Sequence, residues 1–305
     1  MPLPAALEPE FTRFVVSIWG AEGSTWLDRL PTLVDGLARR WSLESLEAPF
    51  EPSYNYVISA RRHGEPVVLK LGVRREELRS EVAALQLYDG DGVVHVLEAD
   101  LDHGALLLER LLPGKPLAAL ALEDDATATA IAGGVIARWR RHAPTGHAFP
   151  TVADWGRGFE RIRKRFDGGT GPLPAGLTAR AESLFAELLA SSGPPVVLHG
   201  DLHHGNILSA TRAPWLAIDP KGVVGEAEYE AGALLANPSP EIAADPAVAS
   251  RRIAQLGDLL GFDRQRIRDW AFAQAVLRAW WGVEDRQSPN PGWLRIAETL
   301  AAVPA

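Results

Sequence analysis

Polar residues able to bind a metal ion and to move a proton are concentrated in one segment of this 305-residue chain. Asp201 and Asn206 are five residues apart, Asp219 follows thirteen residues later, and strand-like apolar runs flank the set at Pro195–Leu198 and Pro214–Ile218. Phosphoryl transfer from ATP needs one carboxylate to accept the proton of the attacking hydroxyl, and an amide oxygen with a second carboxylate to hold Mg²⁺. We therefore predict that Asp201 is the catalytic residue and that Asn206 and Asp219 bind Mg²⁺.

The segment His199-Gly-Asp-Leu-His-His-Gly-Asn206 follows the kinase pattern H-x-D-x-x-x-x-N, with Asp219 in the place of the metal-binding Asp on the next strand. A single Asp in a loop is more often a turn or cap residue, but the joint pattern between two apolar strands favours catalysis. His199 and His203 are four residues apart, a spacing also found in zinc sites on helices, so a metal hydrolase is the competing interpretation. The segment lacks a helical pattern and no further His-rich motif follows it, which disfavours that alternative.

A lysine and a glutamate upstream are predicted to serve the nucleotide. Lys70 ends an apolar strand, as does the lysine with which kinases bind the α- and β-phosphates. On the predicted helix 75–88, Glu81 falls within the apolar arc, whereas Glu76 and Glu77 fall outside it. Because a glutamate on a buried face needs a partner, we predict that Glu81 pairs with Lys70.

The remaining cofactor contacts are predicted from position alone. No G-x-G-x-x-G loop precedes the lysine, and the corresponding turn lies at residues 52–56. There Ser53 and Asn55 either contact the phosphates or form a plain hairpin turn. Glu109 and Leu111, at the end of a strand, are predicted to offer backbone groups to the adenine base.

The order of predicted elements gives an α+β chain in two parts. Residues 1–111 form a β-rich N-terminal lobe with five antiparallel strands, and residues 112–305 form a mostly helical C-terminal lobe with the catalytic loop. In the first part we predict a helix over 23–41 that Pro31 interrupts, a second helix over 75–88, and strands over 43–50, 54–60, 66–71, 93–99 and 105–111. After a connector at 111–114, helices are predicted over 123–142, 154–167, 176–192, 241–261, 264–284 and 291–302.

Two segments, Val197–Leu208 and Ala217–Gly222, resemble the aminoglycoside phosphotransferase family. The stretch from Gly225 to Pro238 is most similar to its streptomycin 6-phosphotransferase and hydroxyurea phosphotransferase branch. The resemblance implies a two-lobed protein-kinase-like fold that uses ATP and Mg²⁺ to phosphorylate a hydroxyl of a small molecule. An aminoglycoside such as streptomycin is the first expectation for the acceptor, and hydroxyurea or another small metabolite is the alternative.

The chain departs from protein kinases in two places. It lacks an A-P-E motif and a long activation segment, which disfavours a protein substrate. Asp219-Pro-Lys replaces D-F-G, and Pro220 fixes the backbone there, so we expect no mobile switch. Lys221 either neutralises phosphate charge or pairs with a nearby acid.

Candidate acceptor-binding residues are carboxylates and one histidine in the C-terminal part. Glu226, Glu228 and Glu230 follow the second metal-binding Asp, Asp154 opens a predicted helix, and His204 lies in the catalytic segment. Each has a structural alternative, since a charged run is usually a solvated face and Asp154 is well placed to cap its helix.

Composition sets limits on the function class. The net charge of −8 argues against a nucleic-acid binder that uses a basic face and suits a cationic acceptor, although it also simply favours solubility. The chain has no cysteine, no secretory leader pattern and no apolar run of membrane-spanning length, so we expect a cytoplasmic protein without disulfides. A nucleotide-binding protein without turnover is the non-enzymatic alternative, which the complete set of Lys, Glu, Asp, Asn and Asp disfavours.

Overall fold

The computed structural model describes residues 7–50, 54–73, 75–285 and 288–304. The chain divides into two compact units. Unit 1 comprises the residues up to Gly90 together with Val94–Leu111, and unit 2 comprises Asp91–Val93 and the residues from Leu112 onward. In these described ranges no helix is both long enough and apolar enough to cross a lipid bilayer.

Unit 1 combines one antiparallel sheet with two helices. Its elements are, in chain order, α1 (Pro9–Arg40), β1 (Leu43–Glu44), β2 (Asn55–Arg62), β3 (Glu65–Gly72), α2 (Arg75–Tyr88), β4 (Val96–Asp100) and β5 (Ala105–Glu109). The strands pair in the order β1-β2-β3-β5-β4. Apolar side chains of β2 and β3, including Ile58 and Leu69, pack in one core with Leu30 and Val34 of α1. Burial of these side chains is the main force that holds the helix on the sheet.

Helix α1 corrects the predicted position of a helix break. The helix begins at Pro9 rather than near residue 23 and continues through Pro31. Its non-helical residue is Gly20, with φ 55° and ψ −127°. Glycine adopts this positive φ because it has no Cβ, so the chain bends there. The predicted strand over 43–50 is also shorter than expected, since only Leu43–Glu44 and a bridge from Pro49 to Ile58 pair with β2.

Unit 2 is mostly helical and contains two small sheets. Its elements are β6 (Pro113–Pro116), α3 (Leu117–Glu123), α4 (Asp125–Ile136), α5 (Val152–Arg165), α6 (Ala175–Ala190), β7 (Val196–Leu198), β8 (Ile207–Ala210), β9 (Trp215–Ala217), β10 (Val223–Gly225), α7 (Ala231–Leu235), α8 (Pro240–Ala243), α9 (Pro246–Leu260), α10 (Arg264–Glu284) and α11 (Pro291–Ala302). Strands β7 and β10 form one antiparallel pair, and β6, β8 and β9 form a three-stranded sheet. These short strands carry the segment that the sequence singles out for catalysis.

Two predicted helices differ from the structure. The helix expected over 123–142 is α4, which begins where the Asp124 carboxylate accepts a hydrogen bond from the Thr127 N–H and ends at Ile136, and α3, which ends at Glu123, was not predicted. The helix expected over 241–261 is α8 and α9, because Asp245 caps α9 and Pro246 occupies its first turn. Side chains that favour a new helix start therefore override continuous apolar periodicity.

Helix α10 forms the centre of unit 2 and has the predicted bounds. Asp263 accepts a hydrogen bond from the Arg266 N–H and caps its first turn. Most of its residues are buried, including Trp270, Phe272 and Trp280, because α5, α6, α7, α9 and α11 all pack against it. The middle of the helix is apolar because neighbouring helices cover it, and a charged residue among these buried side chains needs a partner.

Candidate active site

The predicted catalytic segment is a loop between β7 and β8 that hydrogen bonds tie to the segment around Asp219. The Ile218 N–H donates to the Asn206 carbonyl at 2.9 Å, and the Lys221 N–H donates to the His199 carbonyl at 2.7 Å. These bonds lie on either side of Asp219, which has a φ of 59°. Unit 2 therefore brings the predicted catalytic and metal-binding residues to one place.

Asp201 makes one charged contact and several backbone contacts. Its Oδ1 accepts a hydrogen bond from Arg278 Nη2 at 2.8 Å, and its Oδ2 lies 3.9 Å from His203 Nε2. Burial raises the pKa of Asp201, but Arg278, His203 and Lys221 together outweigh burial and hold the pKa below its ordinary value. The side chain is therefore a carboxylate at neutral pH and can accept a hydrogen bond from an acceptor hydroxyl.

His199 holds the catalytic loop in place through contacts of both its ring nitrogens. It is fully buried, its Nε2 lies 2.8 Å from the Ile218 carbonyl, and its Nδ1 accepts the Asp201 N–H at 3.2 Å. Burial lowers the pKa of His199 to about 4, so the ring is neutral, with Nε2 as donor and Nδ1 as acceptor. Both nitrogens are engaged, and the described residues contain no group of three His, Cys, Asp or Glu side chains able to hold a metal. The zinc-hydrolase interpretation is not supported.

Asn206 and Asp219 offer oxygen atoms suited to a hard cation. Asn206 Nδ2 donates to the Asp201 carbonyl at 3.0 Å, which orients the amide and leaves Oδ1 as its ligand atom. Asp219 Oδ2 accepts from Lys221 Nζ at 3.1 Å. One amide oxygen and one carboxylate fit Mg²⁺, which retains several waters and takes few protein ligands.

Glu230 holds the catalytic loop and was not predicted to do so. Its Oε2 accepts the His199 N–H at 2.6 Å and its Oε1 accepts the Gly200 N–H at 3.1 Å. Burial raises the pKa of Glu230 to about 7, although these backbone N–H groups act in the opposite direction. The one sequence signal was its position between Tyr229 and the apolar start of α7, which marks a buried rather than a solvated glutamate.

Gly200 allows the loop to pass beneath an aromatic ring. Its φ is +82°, and a Cβ at this position would lie 2.7 Å from Trp155 Cη2 and 2.8 Å from Val223 Cγ1. Any side chain would collide there and would also be strained by the positive φ. Trp155 is half-buried, lies directly over the residue before Asp201 and makes an edge contact with Trp281 at 5.9 Å.

Unit 1 contains the predicted lysine–glutamate pair. Lys70 Nζ lies 2.7 Å from both Oε1 and Oε2 of Glu81, and both side chains are buried. Lys70 is on β3 and Glu81 is on the next element, α2. The helical arc therefore identified the correct glutamate among three candidates.

Three of the other predicted nucleotide residues lie among the described residues of unit 1. Asn55 begins β2, and its side chain lies against Gly72, where a Cβ would overlap Asn55 Oδ1. The Glu109 N–H donates to the His95 carbonyl at 3.0 Å, and Glu109 Oε1 accepts the His95 N–H. Leu111 is buried. Ser53 lies outside the described residues.

The predicted acceptor-binding side chains are mostly engaged inside unit 2. Glu226 is buried and accepts from Arg266 and from Trp270 Nε1 at 2.6 Å, which corrects its assignment as an acceptor ligand. Asp154 completes a capping box with Thr151.

Two further candidates in this group lie in low-polarity surroundings. His204 is fully buried, and neither ring nitrogen has a hydrogen-bond partner in the described part of the chain. Burial lowers the pKa of His204 to about 3, so its ring is neutral. Glu228 is half-buried, and burial raises its pKa. His204 is therefore an interior residue, which corrects its assignment to the acceptor side. Among the described residues, Glu228 and Glu230 are the predicted carboxylates without an observed ion pair, and Glu230 is engaged by the backbone of the catalytic loop.

The chain is similar in sequence to known antibiotic resistance kinases. A family model described as aminoglycoside/hydroxyurea antibiotic resistance kinase matches residues 40–286. Streptomycin 6-kinase of Streptomyces glaucescens is 32% identical over 305 residues, which cover 98% of this chain and 96% of that protein. Hydroxyurea phosphotransferase of Kitasatospora aureofaciens is 33% identical over 283 residues, which cover 89% of this chain and 78% of that protein.

Solved structures share the fold at low sequence identity. Choline kinase LicA from Streptococcus pneumoniae has a TM-score of 0.65 at 15% identity and covers 89% of this chain and 99% of its own. Aminoglycoside phosphotransferase APH(4)-Ia has a TM-score of 0.64 at 13% identity and covers 90% and 99%. These similarities concern the fold alone, and they confirm the predicted α+β, protein-kinase-like class.

Proposed function

This chain belongs to the aminoglycoside/hydroxyurea antibiotic resistance kinase family, and we propose that it inactivates streptomycin by phosphorylating one of its hydroxyl groups. Membership makes the chain a phosphotransferase that acts on a hydroxyl of a small molecule. The proposal extends this activity to ATP as the donor, Mg²⁺ as the metal and streptomycin as the acceptor. Identity of 32% to streptomycin 6-kinases of two Streptomyces species supports the choice of acceptor and of its 6-hydroxyl.

The observation that carries the proposal is the hydrogen-bonded loop of unit 2. An ionised Asp201 lies on the same loop as Asn206, and two backbone hydrogen bonds attach this loop to the segment around Asp219. A carboxylate beside two oxygen ligands for a hard cation suits phosphoryl transfer, in which the protein contributes positioning and charge rather than covalent chemistry.

In the proposed reaction, the Oδ2 atom of Asp201 accepts a hydrogen bond from the acceptor hydroxyl and orients it. The hydroxyl oxygen forms a bond to the γ-phosphorus, the bond from that phosphorus to the β-phosphate oxygen breaks, and ADP leaves. The hydroxyl proton passes to Asp201 as the new ester bond forms. Because the pKa of Asp201 is held low, it is a weak base, and its main contribution is orientation.

Lys70, Asn206 and Asp219 are proposed to bind the donor. Lys70, which Glu81 holds in place, contacts the phosphates of ATP. Asn206 and Asp219 hold Mg²⁺, which when bound neutralises charge on the phosphate oxygens. Backbone groups of Glu109 and Leu111 are proposed to contact adenine, and Ser53 and Asn55 to lie near the phosphates.

Composition supports the remaining parts of the proposal. The net charge of −8 favours a cationic acceptor over nucleic acid, and the absence of cysteine is typical of a reducing compartment, so we place the protein in the cytoplasm. Glu228 and Asp154 remain the proposed acidic contacts of the acceptor.

Hydroxyurea is the second candidate acceptor, and one structural feature favours it. Glu226 is engaged by Arg266, Asp154 caps α5, and the catalytic carboxylate is itself paired with Arg278. Fewer carboxylates are thus available for a cation than the sequence predicts, which suits a small neutral acceptor. A hydroxyurea phosphotransferase is also 33% identical to this chain.

An acceptor panel tests the proposal directly. ADP release from Mg-ATP would be measured with streptomycin, other aminoglycosides, hydroxyurea and simple amino alcohols. We expect turnover with streptomycin that falls by several orders of magnitude, to a measurable residual rate, in Asp201→Asn and persists in Glu298→Gln, an exposed control on α11. If hydroxyurea alone were turned over, hydroxyurea rather than streptomycin would be the acceptor, and the proposed mechanism would stand. Full activity of Asp201→Asn would overturn the mechanism itself.

A further inference from the structure

Arg278 is a charged residue in the central helix of unit 2, and its guanidinium contacts Asp201 in the catalytic loop. It follows Phe272–Leu277 on α10, where nearly every residue is buried, and its own side chain is 15% exposed. Its Nη2 donates to Asp201 Oδ1 at 2.8 Å. Its Nε is buried and has no hydrogen-bond partner in the described part of the chain.

A tryptophan restrains the same guanidinium from another direction. The guanidinium carbon lies 5.4 Å from the ring centroid of Trp293 on α11, within the range of a cation–π contact. The guanidinium is planar and rigid, so an ion pair together with an aromatic contact restricts both its position and its tilt. Burying a charge in this helix is unfavourable unless a partner compensates it, and Asp201 is that partner.

We propose that Arg278 is a positioning residue for Asp201. It holds Oδ1 of the carboxylate, so that Oδ2 is the oxygen that faces the acceptor hydroxyl. The inference rests on the proposed function, because it assigns Arg278 to the same phosphoryl transfer. Trp293 supports it in turn by restraining the guanidinium.

This assignment makes a prediction about kinetic constants that a purely structural role does not. Arg278 acts through the residue that orients the acceptor, so its loss lowers kcat while the KM for ATP stays within about twofold of the wild type. Displacing a catalytic group by about 1 Å costs roughly 100-fold in rate, which is the expected loss of kcat in Arg278→Met. Arg278→Lys keeps the positive charge but lacks the planar guanidinium, and its kcat is expected to fall by only about tenfold.

Two matched variants separate positioning from stability. Arg264→Met removes an arginine of the same helix that pairs with Asp258 at the surface, and it is expected to keep the wild-type kcat. Arg266, which is also on α10, forms a partly buried ion pair with Glu226. Arg266→Met removes this pair, so it reports what destabilisation of α10 alone does to kcat. Trp293→Leu is expected to lower kcat by about threefold to tenfold, because one of two restraints is gone.

The decisive experiment is a double-mutant cycle on kcat with Mg-ATP and streptomycin. If Arg278 works through Asp201, then Arg278→Met combined with Asp201→Asn loses no more than about threefold beyond Asp201→Asn alone. Independent losses that multiply would overturn the inference, as would a kcat of Arg278→Met within threefold of the wild type. An equal loss in Arg266→Met at matched thermal stability would also overturn it. A wild-type protein that turns over no acceptor would instead overturn the proposed function, and this inference with it.

Discussion

Two pairs of a cation and a carboxylate, a buried one in unit 1 and a partly buried one in unit 2, differ in how far apart their members lie in the sequence. Lys70 and Glu81 are 11 residues apart on consecutive elements, and each side chain is only 6% exposed. Arg278 and Asp201 are 77 residues apart, and their side chains are 15% and 22% exposed. The near pair follows from local periodicity, whereas the distant pair requires the packing of a whole helix, and only the distant pair includes the group proposed to meet the acceptor.

Glu81→Gln tests whether the near pair is the more important for stability. The substitution removes the carboxylate that lies 2.7 Å from the buried ammonium group of Lys70, so the free energy of unfolding is expected to fall by about 3–5 kcal/mol. Urea denaturation would measure it. Glu76→Gln, at an exposed position of the same helix, is the control and is expected to change it by less than about 0.5 kcal/mol. Equal stability of the two variants would contradict the importance of the pair.

Replacing both members of the near pair separates its structural role from its functional one. In Lys70→Met combined with Glu81→Leu, two apolar side chains replace the ion pair, and such a replacement is often neutral or stabilising. We expect stability within about 1.5 kcal/mol of the wild type, but a kcat lower by about 100-fold to 1000-fold because the ammonium group of Lys70 no longer contacts the phosphates. A folded double variant with full activity would remove Lys70 from the mechanism.

The catalytic loop of unit 2 is expected to add a pH dependence of stability. Burial lowers the pKa of His199 to about 4, below 6.5 for the free side chain. As pH falls from 6.5 towards 4, the unfolded chain binds a proton that the folded chain does not, so stability falls by about 1.4 kcal/mol per pH unit from this group. His199→Gln should therefore flatten the plot of unfolding free energy against pH in that window.

Glu230 contributes with the opposite sign to the same plot. Burial raises its pKa to about 7 from 4.5, so between pH 4.5 and 7 the folded chain holds a proton that the unfolded chain has released. Stability from this group therefore falls as pH rises through that window. Glu230→Gln should steepen the rise of stability with pH that His199 produces. Parallel plots for both variants and the wild type would show that neither group is linked to folding.

Arg264→Met tests whether any arginine–carboxylate pair on α10 has the effect expected for Arg278. Arg264 pairs with Asp258 at 2.6 Å, but both side chains are largely exposed. Water screens such a pair, so its loss is expected to change stability by less than about 0.5 kcal/mol and to leave kcat unchanged. Thermal unfolding and the ADP assay would measure both quantities. A large effect would mean that the pairing of α10 arginines matters in general, whatever their position.

The sequence was sufficient for features that depend on neighbouring residues. The bounds of α10 follow from its cap at Asp263 and its apolar length, and the choice of Glu81 follows from a helical arc. The kinase-like fold and the family were also predicted, because a spaced motif of polar residues between two apolar strands is specific.

Features that depend on distant parts of the chain were missed for a common reason. Glu230 and Arg278 contact the catalytic loop from 30 and 77 residues away, and a local pattern, even one that marks Glu230 as buried, does not show which distant group is the partner. Glu226 was misassigned to the acceptor because its partner, Arg266, is 40 residues away.

The two hydrogen bonds from the backbone of His199 and Gly200 to Glu230 have a consequence for how acceptor binding is used. A loop held by a buried carboxylate loses its conformational freedom when the chain folds, before any ligand arrives. Acceptor binding then needs to restrict only the ligand, and the free energy of its contacts is not consumed in organising the protein. Such a loop allows weakly bound acceptors of different shapes to meet the same oriented carboxylate, which suits an enzyme family whose members act on molecules as different in size as streptomycin and hydroxyurea.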